Sequence, residues 1–126
     1  MSKKALILFA HGARAASWAQ PFQRLQKLTQ ESLPDIKVEL AFLELMQPQL
    51  PETVENLLRL GYEDFTVTPI FLGQGGHVLR DLPLMVEELR SRFPQIQIKQ
   101  VVAAGEDPGV LNALRDYCLR SIEQTI

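Results

Sequence analysis

The fold of this chain is decided by the stretch Ala5-Leu6-Ile7-Leu8-Phe9-Ala10-His11-Gly12. A continuous apolar run of this kind is typical of a strand in a parallel sheet, because helices cover both faces of such a strand. A histidine and a glycine follow the run directly. Ligands of open α/β sheets bind beyond the carboxyl ends of the strands. The stretch therefore predicts an α/β fold and places His11 at the edge where a binding site is expected.

The remainder of the chain repeats the same pattern, a strand followed by a helix, and gives four such units in all. We expect strands near 4–10, 37–43, 65–68 and 96–102. Apolar residues at helical spacing predict helices near 17–32 and 81–93, with a helix between them that ends at Gly61. A fourth helix is expected to open at Asp107-Pro108. Strands that alternate with helices imply a parallel sheet.

We predict a three-layer, flavodoxin-like α/β sandwich whose four parallel strands lie in the order 2-1-3-4. Residues 1–126 are expected to form a single domain. In this order strands one and three are neighbours at the centre of the sheet. We also expect Asp81 to cap the third helix, with Pro83 in its first turn. The fourth helix is expected to turn its apolar stripe inward, namely Leu111, Leu114, Cys118 and Ile122.

Charge and composition exclude several classes of partner. Thirteen basic and fifteen acidic residues give a net charge of −2, with no block of like charge that suits a nucleic acid. The single Cys118 excludes an internal disulfide. The apolar runs are too short to span a bilayer or to form a secretory leader, so no membrane partner is predicted. We expect a soluble, cytoplasmic protein.

The two histidines of the chain, His11 and His77, each follow an apolar run that predicts a buried strand. If strands one and three are neighbours, both imidazoles lie at one crevice, and Glu44 joins them from the end of strand two. Two imidazoles and a carboxylate suit Zn²⁺, Co²⁺, Ni²⁺ or Fe²⁺ with coordination positions left open. Each residue also has a simpler interpretation. A histidine beside a glycine can serve only to bond a loop carbonyl, and a carboxylate before a helix can serve only the helix dipole.

The loop before His77 contains Gly73, Gly75 and Gly76, which allow a flat ligand to approach the backbone. Arg14 and Arg80 each lie three residues beyond a histidine. Their parallel placement favours recognition of an anion, although exposed arginines are also ordinary surface charges.

Nucleotide binding is disfavoured by the same loop. It lacks the last glycine of G-x-G-x-x-G, where Val78 stands, and the chain contains no G-x-x-x-x-G-K-[ST].

Taken together, these motifs resemble the short class II chelatases of the CbiX type. The resemblance covers the chain from Lys4 to about Phe93, and its segments are His11-Gly12-Ala13-Arg14, Phe42-Leu43-Glu44, Pro69-Ile70-Phe71-Leu72, Gly75-Gly76-His77 and Asp81-Leu82-Pro83. Ala13 departs from the serine that the family often has there. The resemblance implies a chelatase-like domain that inserts a divalent metal, Co²⁺ or else Fe²⁺ or Ni²⁺, into sirohydrochlorin without ATP, for cobalamin or siroheme synthesis.

The resemblance also implies roles for individual residues. His11, His77 and Glu44 are then the metal-binding and catalytic residues. Because sirohydrochlorin is rimmed with carboxylates, Arg14, Arg80 and the backbone N–H groups of Gly75 and Gly76 are the expected substrate contacts. A domain of this length has a radius of gyration of about 14 Å and covers mainly one face of the macrocycle. We therefore expect a twofold homodimer with facing clefts.

Two alternatives are weighed against a chelatase. Histidine phosphatases also begin with a strand, a histidine and a glycine, but Ala10 occupies the position of their arginine, so the phosphate clamp is missing. A carrier that binds metal or tetrapyrrole without performing chemistry needs the same ligands. The sequence leaves this second alternative open.

Overall fold

The computed structural model describes residues 3–73 and 75–124, and the side chains of residues 76, 77 and 79 are outside this description. Strands alternate with helices along the chain, as expected. The four strands are β1 (Lys3–Ala10), β2 (Ile36–Phe42), β3 (Tyr62–Pro69) and β4 (Gln97–Gln100). The four helices are α1 (Gln20–Ser32), α2 (Leu50–Arg59), α3 (Gly76–Arg92) and α4 (Pro108–Ser121). Short 3₁₀ helices at Ala16–Ala19 and Ala104–Glu106 precede α1 and α4.

The sheet is parallel throughout and has the order β2-β1-β3-β4, which confirms the predicted topology. In the register of β1, Ala10 lies beside Phe42 of β2, and Phe9 lies beside Pro69 of β3. Pro69 is the last residue of its strand, a position where a missing N–H is tolerated. β3 therefore runs one residue further than the predicted end near Thr68 and begins earlier, at Tyr62.

Two apolar clusters hold the layers together. The larger lies between the sheet and the pair α2 and α3, and contains Ile7, Phe9, Leu50, Phe65 and Leu89 among its buried members. The smaller lies on the opposite face, under α1, where Leu8, Val38, Leu40 and Phe42 are buried and Trp18 and Phe22 pack against them. Because β1 contributes to both clusters, its apolar run is buried on both sides, as the sequence predicts.

The predicted start of the third helix is wrong. α3 begins at Gly76 with Gly75 as its N-cap, so Asp81 does not cap the helix and Pro83 lies in its interior. The physical reason is burial, because Val78 and Leu82 are 3% and 2% exposed and extend the apolar stripe upstream of the proline. Each such side chain stabilises the fold by about 1.5–3 kcal/mol, which offsets the roughly 3 kcal/mol that an interior proline costs.

The predicted packing of the fourth helix is also wrong. None of the residues of α4 is buried, and neither core cluster contains any of them. Its apolar side chains are open to solvent, with Leu111 50% and Tyr117 51% exposed. The apolar residues recur at helical spacing, as predicted, but they do not pack into either core cluster of the described chain.

No helix in the described part of the chain combines the length and the hydropathy that crossing a bilayer requires.

A matched pair of leucines in α3 tests the core. Leu89 is 1% exposed and Leu84 is 64% exposed, and both lie on the same helix. We expect Leu89→Ala to lower the free energy of unfolding by about 2–5 kcal/mol, because it leaves a cavity. Leu84→Ala should change it by less than about 0.5 kcal/mol. Urea unfolding followed by circular dichroism measures both, and equal losses would contradict this description of the core.

Candidate active site

The carboxyl ends of β1, β2 and β3 meet at one edge of the sheet, and hydrogen bonds between their backbones continue past the strands. The N–H of Leu43 donates to the carbonyl of Ala10 at 2.8 Å, and the N–H of Ile70 donates to the carbonyl of Phe9 at 2.8 Å. The loops after β2 and β3 therefore leave the sheet on either side of the loop after β1. We call this place the carboxyl edge.

His11 is the first residue after β1 and is fixed in two ways. Its carbonyl accepts a hydrogen bond from the N–H of Glu44 at 3.0 Å. Its ring lies against the ring of Phe71, with centroids 4.1 Å apart and planes inclined by 34°. Phe71 is itself buried and makes an edge contact with Phe9 at 5.9 Å. The imidazole of His11 is half-buried and held against a rigid aromatic surface.

Gly12 and Glu44 are in close backbone contact. Gly12 has a φ of +98°, and a Cβ built on it would lie 1.8 Å from the carbonyl oxygen of Glu44. Only glycine fits a backbone of this conformation so close to its neighbour. The next residue, Leu45, has a φ of +66°, which is rare for a bulky side chain. The backbone at His11 and Glu44 is thus tightly constrained, and Glu44 is exposed.

The structure brings the backbones of two of the residues predicted as metal ligands together, and their role as ligands stays a prediction. His11 and Glu44 are joined by the hydrogen bond described above. Residue 77 lies in the first turn of α3, directly after the loop from β3, but its side chain is outside the described residues. The side chains described in the structure contain no group of three His, Cys, Asp or Glu residues that could hold a metal. A shared site for the two imidazoles stays a prediction.

The predicted contacts to an anion lie at the surface. Arg14 is exposed and has no ion pair with any residue in the described ranges, whereas the Nε of exposed Arg80 is 3.7 Å from an oxygen of Asp81. A Cβ built on Gly75 would meet no atom of the described residues within 4 Å. The packing of the described residues does not demand a glycine there. Gly76 is the first residue of α3.

Sequence reasoning missed three features of the carboxyl edge. The N–H of Gly105 donates to the carbonyl of Phe71 at 2.8 Å, and a Cβ on Gly105 would lie 1.7 Å from the carbonyl oxygen of Leu72. Gly105 therefore fixes the loop after β3, and this loop carries Phe71, whose ring packs against the imidazole of His11. Leu45 and Leu72, on the loops after β2 and β3, are 56% and 63% exposed. In the sequence, Gly105 stands shortly after a predicted strand, and this position was the only indication of its role. No pattern indicated that Leu45 and Leu72 would be exposed.

Comparison with known proteins identifies the family. The family model CbiX matches residues 5–120. The chain belongs to the CbiX family. A CbiX protein from Marinobacter aquaeolei VT8 has the same fold, with a TM-score of 0.86 and 33% identity over 97% of this chain and 99% of that one. The fold and the resemblance predicted from the sequence are confirmed.

Two curated relatives give the names of activities. The sirohydrochlorin cobaltochelatase of Methanopyrus kandleri is 32% identical over 82 residues, which are 65% of this chain and 57% of that protein. The sirohydrochlorin ferrochelatase of Bacillus subtilis is 25% identical over 112 residues, which are 89% of this chain and 43% of that protein. This CbiX-family chain thus spans about half the length of these curated relatives.

Gly12→Ala tests the close approach at the carboxyl edge. We expect it to lower the free energy of unfolding by at least about 1–3 kcal/mol, because alanine disfavours a positive φ and its Cβ meets the carbonyl of Glu44. Gly75→Ala is the matched control and should cost less than about 1 kcal/mol. Thermal and urea unfolding measure both changes. A Gly12→Ala variant as stable as Gly75→Ala would show that the loops after β1 and β2 are not in contact.

Proposed function

We propose that this protein inserts a divalent metal ion into sirohydrochlorin without ATP. The observation that carries the proposal is the backbone hydrogen bond from Glu44 to His11, which brings the ends of β1 and β2 together at the carboxyl edge. Membership of the CbiX family supports it, as do the activities for which the two relatives are named. The metal is a substrate of this reaction, and the proposal includes no nucleotide.

His11, His77 and Glu44 are proposed as both the metal ligands and the catalytic residues. Insertion requires that water leaves the metal, that the metal reaches the centre of the macrocycle and that two pyrrole N–H protons leave. A neutral imidazole binds first-row metals and also accepts protons in the physiological range, so one residue type can serve both steps. The contact between His11 and Phe71 supports this role, since it fixes the orientation of the ring.

The macrocycle is proposed to lie over the carboxyl edge. Its carboxylates are bound by Arg14 and Arg80 and by the N–H groups of Gly75 and Gly76 at the start of α3. Its apolar surface has two exposed side chains to contact, those of Leu45 and Leu72. The glycine at position 75 supports an approach of the ring to the backbone, since no Cβ stands in the way.

Co²⁺ is the metal that we propose first. Fe²⁺ and Ni²⁺ are the alternatives, because nitrogen and oxygen sites bind all three and the order of affinity does not select among them. The names of the two relatives include cobalt for one and iron for the other. The cytoplasmic location stays a prediction from the sequence.

A homodimer is proposed as the working unit. One domain of this size covers mainly one face of a tetrapyrrole. The relative from Bacillus subtilis is more than twice as long as the aligned region, which leaves room for a second lobe. A twofold arrangement of two short chains with facing clefts supplies the equivalent of that lobe.

Replacement of the histidines tests the proposed site. With sirohydrochlorin and Co²⁺, the wild type should accelerate the visible absorption change of metal insertion over a control without protein. His11→Ala and His77→Ala should each lower this rate by at least about 100-fold, the scale of lost proton transfer or metal positioning. Gln95→Ala, an exposed residue between α3 and β4, is the control and should keep the rate.

Two outcomes of that assay contradict parts of the proposal. Unchanged rates in both histidine variants would reject the site. A wild type that binds Co²⁺ or sirohydrochlorin but does not accelerate insertion would favour the carrier instead of the enzyme.

The arginines test how the substrate is bound. We expect Arg14→Ala and Arg80→Ala to raise the KM for sirohydrochlorin about 3- to 30-fold, the scale of a lost charged hydrogen bond, with smaller changes in kcat. Arg59→Ala is the matched control, because Arg59 is also exposed but lies at the end of α2, at the opposite edge of the sheet. Steady-state kinetics at two salt concentrations measure the effect. A KM that rises equally in Arg59→Ala would reject specific binding at the carboxyl edge.

A further inference from the structure

Leu45, directly after Glu44, combines two features that do not stabilise the folded chain. With a φ of +66°, it is the one non-glycine residue in the described ranges that has a left-handed backbone. A bulky side chain rarely adopts this conformation, because its Cβ comes close to the following carbonyl oxygen. Leu45 is also apolar and 56% exposed. Since strained residues cluster where a protein holds a ligand, the two features together point to a role outside the packing of the chain.

The loop after β2 passes over the end of the sheet at Leu45. Leu43 packs against the larger core cluster, whereas Met46 packs against the smaller cluster on the opposite face. The chain therefore crosses from one face of the sheet to the other between these two residues. Glu44 and Leu45 are the residues at the crossing, and both are exposed. Leu45 thus lies at the carboxyl edge, directly after the residue whose N–H is bonded to His11.

The loop after β3 makes a similar crossing and also ends in an exposed leucine. Ile70 packs against the smaller cluster, and Phe71 belongs to the larger one. Leu72 follows them and is 63% exposed. The loops after β2 and β3 leave the sheet on either side of the loop after β1. The two exposed leucines therefore flank the loop that carries His11.

We propose that Leu45 sets the affinity of this chain for the macrocycle through an apolar contact, and that the strained backbone is retained for that contact. This inference deepens the proposed function and rests on it, since sirohydrochlorin is the ligand in both. The proposed arginine contacts bind the charged rim of the ring, but they leave its apolar faces in water. An exposed leucine beside the candidate site removes part of such a face from water. Leu72 supplies a second contact of the same kind, without a left-handed backbone.

The strained position of Leu45 has a physical advantage for binding, because the loop is already ordered. Gly12 packs against the carbonyl of Glu44 on one side of Leu45, and Met46 packs into a core cluster on the other. A side chain on a constrained backbone loses less conformational freedom when a ligand arrives. The contact is also apolar, so its contribution should not depend on salt, whereas that of a charged contact should.

Leu45→Asn separates the strain from the contact. Asparagine is close to leucine in shape, but it is polar and tolerates a left-handed backbone. We expect the variant to raise the Tm by about 1–5 °C, because the strain is relieved. It should also raise the Kd for sirohydrochlorin about 5- to 30-fold, because the apolar contact is lost. Thermal unfolding measures the Tm, and quenching of the fluorescence of Trp18, the single tryptophan, measures the Kd.

Three further variants control for size, strain and location. Leu45→Met keeps a large apolar side chain on the strained backbone and should keep the Tm and the Kd of the wild type. Leu72→Asn has no left-handed backbone to relieve, so it should raise the Kd without raising the Tm. Leu60→Asn replaces a leucine that is 62% exposed at the end of α2, at the opposite edge of the sheet, and should leave the Kd unchanged.

Salt separates the apolar contact from the charged contacts. The ratio of the Kd of Leu45→Asn to that of the wild type should be the same at two salt concentrations. The corresponding ratio for Arg14→Ala should be smaller at the higher concentration, because ions screen exposed charges. A ratio for Leu45→Asn that shrinks in the same way would reject an apolar contact.

Four other results would overturn the proposal. If Leu45→Asn binds sirohydrochlorin as tightly as the wild type, the left-handed backbone serves only the turn of the loop. A Tm below that of the wild type would show that no strain is relieved. A wild type that does not bind sirohydrochlorin would remove the ligand. A different mass of Leu45→Asn in sedimentation would assign the leucine to a contact between copies of the chain.

Metal insertion measured on the same samples separates this proposal from the proposed function. If the wild type binds sirohydrochlorin without accelerating insertion, and Leu45→Asn weakens the binding, the contact is retained and the activity is removed. If the wild type inserts metal and neither the Kd nor the KM rises in Leu45→Asn, the activity is retained and the contact is removed.

Discussion

The carboxyl end of β1 is hydrogen-bonded on both sides, and the rest of the candidate site depends on this constraint. The carbonyl of Phe9 accepts from Ile70, and the carbonyls of Ala10 and His11 accept from Leu43 and Glu44. These bonds continue the parallel ladders past the regular strands. The backbones of His11 and Glu44 consequently lie side by side, whatever their side chains contribute. A loop that left the sheet one residue earlier would separate them.

The central part of the fold was predictable because burial on two faces leaves a mark in the sequence. The apolar run of β1 needs helices above and below it, and alternating strands and helices then restrict the topology to few choices. Helix α3 shows the limit of local rules. Pro83 and Asp81 both suggested a later start, but Val78 and Leu82 are buried and their packing outweighs the cost of the proline. A local rule cannot weigh a contact that only the tertiary fold creates.

The candidate site was predictable to the same extent as the order of the strands. Once β1 lies between β2 and β3, the residues that follow these strands must gather at one edge, which is why the strand order predicted that His11 and Glu44 lie close together. The finer fit could not be predicted. Gly12 and Gly105 are required because each one's missing Cβ leaves room for a carbonyl of a distant loop. The exposure of Leu45 and Leu72 likewise depends on the conformation of the loops after β2 and β3, which the sequence pattern does not predict.

Helix α4 shows that the periodicity of a sequence predicts which face of a helix is apolar but not what that face packs against. Its spacing shows that one side of the helix is apolar, but the spacing does not say which surface, if any, covers that side. The expectation of inward packing assumed that the surface belongs to the same chain. In the structure no residue of α4 is buried, and neither core cluster contains a residue of this helix. Apolar periodicity records which face of a helix is unfavourable in water, and only the tertiary structure shows whether that face packs into the core of its own domain.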